Sequence, residues 1–112
     1  MTEPLWVPSR EVIAQSNMVR FMAFVDERHE VALPDYPALY RWSIEAPEQF
    51  WCAVWDFCGV VAESRGDRVI ENPTAMPGAR FFPDARLNFA ENLLRRDDDA
   101  VAIRFRGEDE VD

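Results

Sequence analysis

Apolar residues at Met18, Phe21, Met22 and Val25 follow i, i+3, i+4, i+7 spacing, while Arg20, Asp26, Glu27 and Arg28 take the opposite side. This pattern predicts one amphipathic helix of about three turns, over 18–30, with Ser16 or Asn17 at its start. Ser9 can cap a shorter helix before it, reaching Ser16. Asp35 can cap a third, with Pro37 suited to its first turn and Leu39, Tyr40 and Trp42 as its apolar contacts. Pro47 opens the strongest helix, over 47–58, with Phe50, Trp51, Val54, Trp55 and Cys58 inward and Gly59 as its stop. Ala46 stands at its N-cap, where a Ser or Asp would contribute ~1 kcal/mol, so this helix relies on its aromatic face.

From Val60 to Pro83 the periodicity weakens. Val69 and Ile70 read as a short strand after the Arg65-Gly66-Asp67 turn, and Asn72-Pro73 and Met76-Pro77-Gly78 read as loop. Asn88 caps a final helix, Glu91 completes a capping box, and Arg95-Arg96 lie near its negative end. Val101, Ile103 and Phe105 then alternate with Ala102, Arg104 and Arg106, the period of a half-buried strand, with Gly107-Glu108-Asp109 as the following turn. Only Glu110, Val111 and Asp112 follow. A lone strand leaves its backbone groups unpaired, so the expectation is the front piece of a larger protein.

The 112 residues, 48% hydrophobic with 8 Phe, 4 Trp and 2 Tyr, support one small core. The net charge of −9 opposes binding to phosphate backbones, so nucleic acid is not an expected partner. No uncharged apolar run approaches the ~18 residues of a membrane span, and no basic segment followed by an apolar one opens the chain. A soluble, cytoplasmic protein is expected, with no membrane partner. All 12 basic residues are arginines, which excludes lysine-dependent chemistry from this segment. Cys52 and Cys58, on one helix, stand at least ~9 Å apart, beyond disulfide reach, and read as reduced and buried.

No motif makes a compelling reactive site. Arg65-Gly66-Asp67 spells a receptor-binding tripeptide, yet the glycine turn alone accounts for it. His29 suits a helix end, and no serine–aspartate or cysteine partner marks it as catalytic. Asp97-Asp98-Asp99 lacks the alternating ligands and turning glycine of a calcium loop and reads as a solvated linker. Arg95-Arg96 could grip a phosphate, but balancing the helix dipole and pairing with the aspartates is the favoured reading. The Phe50, Trp51, Trp55, Phe57 cluster could be a stacking platform, but its helical spacing in an acidic chain reads as core. No catalytic residue and no metal ligand is expected here, and the cofactor-binding residues are unknown.

Taken in order, Leu5-Trp6 with Pro8-Ser9, Arg20-Phe21-Met22, Leu39-Tyr40-Arg41-Trp42-Ser43, Pro47-Glu48 with Phe50-Trp51, Val54-Trp55-Asp56-Phe57, Met76-Pro77-Gly78-Ala79-Arg80-Phe81-Phe82-Pro83 and Leu87-Asn88-Phe89-Ala90-Glu91-Asn92-Leu93-Leu94 resemble the N-terminal region of acetoacetyl-CoA synthetases. The resemblance covers nearly the whole chain and is loosest over 60–75. Acetyl- and propionyl-CoA synthetases share the Leu-Asn and the later Asn but typically continue with a cysteine and an Asp-Arg-His run. Leu93-Leu94-Arg95-Arg96 instead favours the acetoacetyl branch. Ala46, where the family usually has a polar cap, and Phe81 or Phe82, where it often has tryptophan, are departures that affect packing.

The resemblance implies a mainly α cap of three to five short helices, ending in the first strands of a larger α/β ligase domain. Residues 1–96 would form the helical N-terminal domain, and 97–112 a linker and the start of the ATP-binding domain, which is the implied partner. It further implies an AMP-forming reaction in which acetoacetate attacks ATP, with magnesium, and coenzyme A then displaces AMP. The family's phosphate loop, ribose-binding aspartate and catalytic lysine match nothing here, so this piece is expected to be inactive alone. The alternatives are a stand-alone helical interaction module and a piece of an acetyl- or propionyl-CoA synthetase.

Overall fold

A computed structural model describes residues 3–108. Its order is α1 (Arg10–Ala14), α2 (Asn17–His29), α3 (Tyr36–Glu45), α4 (Pro47–Phe57), β1 (Ile70–Glu71), β2 (Arg80–Phe81) and α5 (Phe89–Leu93). A helical cap with one small antiparallel sheet is the fold class expected from the sequence.

Each helix with a capping side chain begins where that side chain dictates. Ser9, Ser16 and Asp35 accept hydrogen bonds from the amides of Val12, Val19 and Ala38, satisfying donors with no partner inside the helix. Asn88 accepts from Ala90 and Glu91, but Glu91 does not return the bond, so the expected capping box is only half formed. Helix α4 has no side-chain cap, because its N-cap residue, Ala46, the single residue between α3 and α4, carries only a methyl group that cannot accept a hydrogen bond. Its other end closes as a Schellman motif. Gly59, at φ +60°, donates to Asp56 O at 3.1 Å, and Val60 donates to Trp55 O at 3.1 Å.

Helix α4 packs on both α2 and α3. The buried core is Phe21, Val25, Leu39, Trp42 and Ala53, flanked by Phe50, Val54 and Phe57. Phe21 meets Phe50 and Phe57 edge-on, at centroid distances of 5.9 and 5.2 Å, a geometry that brings ring edges onto π faces. Five expected core members lie outside it: Met18, Tyr40, Trp51, Cys58 and the half-buried Trp55. Met18 of α2, Tyr40 of α3 and Trp51 and Cys58 at α4 are exposed; on α4 the side turned to α2 and α3 is set by Phe50, Ala53, Val54 and Phe57 instead.

Strand β1 pairs with β2, Ile70 opposite Phe81 and Glu71 opposite Arg80. The short strand expected at Val69-Ile70 is thus present, shifted by one residue, and its partner falls in the Arg80-Phe81-Phe82-Pro83 run. The expected strand over Val101–Phe105 has no ladder: it pairs with neither β1 nor β2, and Val101, Ile103 and Phe105 are exposed. The turn read at Gly107-Glu108-Asp109 reaches beyond the described residues, as do Glu110, Val111 and Asp112.

The chain is poorly covered by itself. It exposes 10052 Å², whereas a compact monomer of its mass exposes roughly 6,300 Å². Its radius of gyration is 19.2 Å, against about 13 Å for a compact chain of this length.

Candidate functional site

Three surface features could carry function: a tether around Asn92, an ion-pair cluster around Arg68, and an apolar groove on the helices. The tether holds α5 to the loop after α4. Asn92 Nδ2 donates to Val61 O at 2.8 Å and to Asn88 O at 2.9 Å, while Oδ1 accepts from Val61 N at 2.8 Å and from Arg95 at 2.8 Å. All four hydrogen-bonding positions of the amide are filled. Arg95 also donates to Cys58 O at 3.2 Å, a carbonyl at the end of α4, where positive charge is favoured. Arg95 is therefore engaged structurally, and Arg96 pairs with Asp98 at 2.7 Å, as the dipole-and-aspartate reading expects. Sequence reading missed the part played by Asn92. The available signal was a poor helix former placed inside a five-residue helix.

The ion-pair cluster ties the β hairpin together. Arg68 grips Asp84 with two donors, at 2.7 and 2.5 Å, and reaches Glu71 at 2.7 Å, while Arg80 meets the other oxygen of Glu71 at 3.2 Å. Hydrogen bonds from Arg68 hold the Asp84 carboxyl below the usual carboxylate range, and those to Asp84 raise Arg68 in turn. Beneath the cluster lies the Arg65-Gly66-Asp67 turn. Gly66 has φ +77°, and a Cβ there would stand 2.5 Å from Asp84 Cβ. Close packing and a left-handed backbone thus explain this glycine.

The groove, 390 Å³ and almost wholly apolar, lies between α2, α3 and α4 beside Phe21, Leu39 and Phe57, with Met18, Tyr36 and Tyr40 at its margin. The aromatic cluster divides between two surfaces. Phe50 and Phe57 join the core, whereas Trp51 and Trp55 pack against Phe81 and Phe82, at centroid distances of 5.2 and 4.7 Å. These contacts clamp the hairpin onto the back of α4. His29 ends α2, as expected, with its ring 5.4 Å from that of Trp42 and a buried Nε2 that has no hydrogen-bond partner. Among the described residues no group of three or more His, Cys, Asp or Glu side chains is arranged to hold a metal ion, and no helix is long and apolar enough to cross a membrane.

Residues 36–93 match the family model for the acetyl-coenzyme A synthetase N-terminus. That span takes in α3, α4, the hairpin and α5. The chain belongs to this family. It is 47% identical over 108 residues to an acetoacetyl-coenzyme A synthetase of Rhizobium meliloti, an alignment covering 96% of this chain and 16% of that protein. It is 40% identical over 93 residues to a malonamoyl-CoA synthetase of Penicillium aethiopicum, covering 82% of this chain and 13% of that protein. Among solved structures it superposes on an acetoacetyl-CoA synthetase from Streptomyces lividans with a TM-score of 0.73 and 41% identity, over 80% of this chain and 14% of that one. The resemblance carried by the ordered motifs is borne out. This synthetase N-terminus spans less than a fifth of the length of these relatives.

Proposed function

We propose that the chain is the non-catalytic N-terminal segment of a cytoplasmic acetoacetate–CoA ligase, converting ATP, acetoacetate and coenzyme A into acetoacetyl-CoA, AMP and diphosphate. Residues 1–96 are its helical cap, and 97–112 lead into the ATP-binding domain. The observation that carries this reading is 47% identity to an acetoacetyl-coenzyme A synthetase across 96% of the chain.

The chemistry of the side chains agrees with a scaffold. The charged and amide groups of the two polar clusters are engaged with one another: Arg95 with Asn92 and Cys58, Arg68 with Asp84 and Glu71. The residues present do not fit ATP or magnesium. There is no lysine, and the four glycines, at 59, 66, 78 and 107, form no phosphate loop. Those ligands belong to the rest of the ligase.

The acid is a finer matter, since a relative named for malonamoyl-CoA is 40% identical over the same region. The test is AMP release dependent on both acid and coenzyme A, assayed with acetoacetate, acetate, propionate and malonamate. The ligase carrying this cap turns over acetoacetate fastest, and the 112-residue chain alone turns over none. Turnover by the chain alone, or preference of the longer protein for another acid, would overturn the assignment.

A further inference from the structure

Helix α5 is attached by its polar side. Asn92, the one residue of α5 that is not exposed, faces the body and bonds Val61, while Phe89 and Leu93 stand 74% and 65% exposed, with Leu94 beside them. Residues four apart share a helix side, so Phe89 and Leu93 form one apolar face directed away from the chain's own core. An amphipathic helix normally buries that side and shows its polar side to water. A five-residue helix also has negligible stability alone, which makes its rigid tethering by Asn92 and Arg95 a means of presenting that face.

We propose that the Phe89–Leu93 face is where this cap docks on the remainder of the ligase, against an apolar patch of a body several times its own size. The inference rests on the ligase reading above and adds which surface makes the joint. Size favours that occupant. The cap makes up 14% of the solved relative it superposes on, and its surface in excess of a compact monomer is several times the ~800 Å² that one side of a standard interface buries. A second copy is disfavoured because each chain carries a net charge of −9.

The test is thiol reactivity at Leu93→Cys in the ligase carrying this cap, with Cys52 and Cys58 replaced by serine and Glu27→Cys, on the exposed polar side of α2, as the reference. Docking predicts that Leu93→Cys reacts with a maleimide at least tenfold more slowly than Glu27→Cys. Phe89→Cys, read in the same way, covers the case in which one substitution disturbs the joint. Equal rates at both positions overturn the proposal, as does protection that appears only as protein concentration rises, the mark of self-association. Acetoacetyl-CoA formation by the same proteins separates the two readings. Turnover without protection overturns the docking face alone, and protection without turnover overturns the ligase assignment alone.

Discussion

Asn92 closes both hydrogen-bonding groups of Val61 across 31 residues of sequence, donating to its carbonyl and accepting from its amide, each at 2.8 Å. The pair mimics one rung of a β ladder with a side chain in place of a strand, and it fixes where α5 sits. Asn92→Ala removes the whole rung and is expected to lower stability by about 1–3 kcal/mol. Amide exchange at Val61 and through α5 should accelerate, while α2 and α3 keep their protection. Unchanged exchange at Val61 would show the tether to be idle.

Gly66 is expected to be intolerant of even one methyl group. Gly66→Ala combines a left-handed backbone with a Cβ 2.5 Å from that of Asp84, at a cost of roughly 1–3 kcal/mol. Thermal melting measures it. Gly78→Ala is the comparison: it is strained at φ +130°, but its nearest neighbour is Ala75 Cβ at 3.2 Å, and it should cost less than Gly66→Ala.

Acid should loosen the hairpin through Asp84. Its folded-state pKa lies below the unfolded value of about 3.9. Its contribution is therefore present above that value and disappears as pH falls through the lower, folded one. The difference in melting temperature between the parent chain and Asp84→Asn should be largest above about pH 5 and shrink toward pH 2. The cluster is solvent-exposed, so added salt should shrink it too. A difference that grew on acidification would reverse the assigned sign.

Leu39 and Leu93 offer a matched pair of leucines, 4% and 65% exposed. In the 112-residue chain, Leu39→Ala is expected to cost about 2–5 kcal/mol by opening the core, and Leu93→Ala less than about 0.5 kcal/mol. Urea unfolding of both variants checks the contrast. Comparable losses would mean that α5 already buries its apolar side in the free chain.

What could be read from the sequence was what is decided within a few residues. Ser9, Ser16, Asp35 and Asn88 each cap an amide two or three positions away, so hydroxyl, carboxylate or amide type and spacing sufficed. The Pro47 start and Gly59 stop of α4 were legible for the same reason. Contacts set by tertiary approach were not. Nothing near Trp51 or Trp55 announces that each meets a phenylalanine of the hairpin, and nothing near Arg68 names Asp84, 16 residues on. The run over Val101–Phe105 shows the converse. Its alternation is a strand's, yet a ladder is made by a partner strand far away in sequence, and among the described residues the run pairs with none.

Because Ala46 is the single residue between the two helices, capping the end of α3 and the start of α4, the joint between them has no slack. Lengthening it by a single residue would rotate α4 by about 100° about its axis. Ala53, Phe50 and Phe57 would then swing away from the core, and the tryptophans that hold the hairpin would lose Phe81 and Phe82. The elbow acts as a phase lock: insertions there are expected to be far less tolerated than in the loop around Thr74.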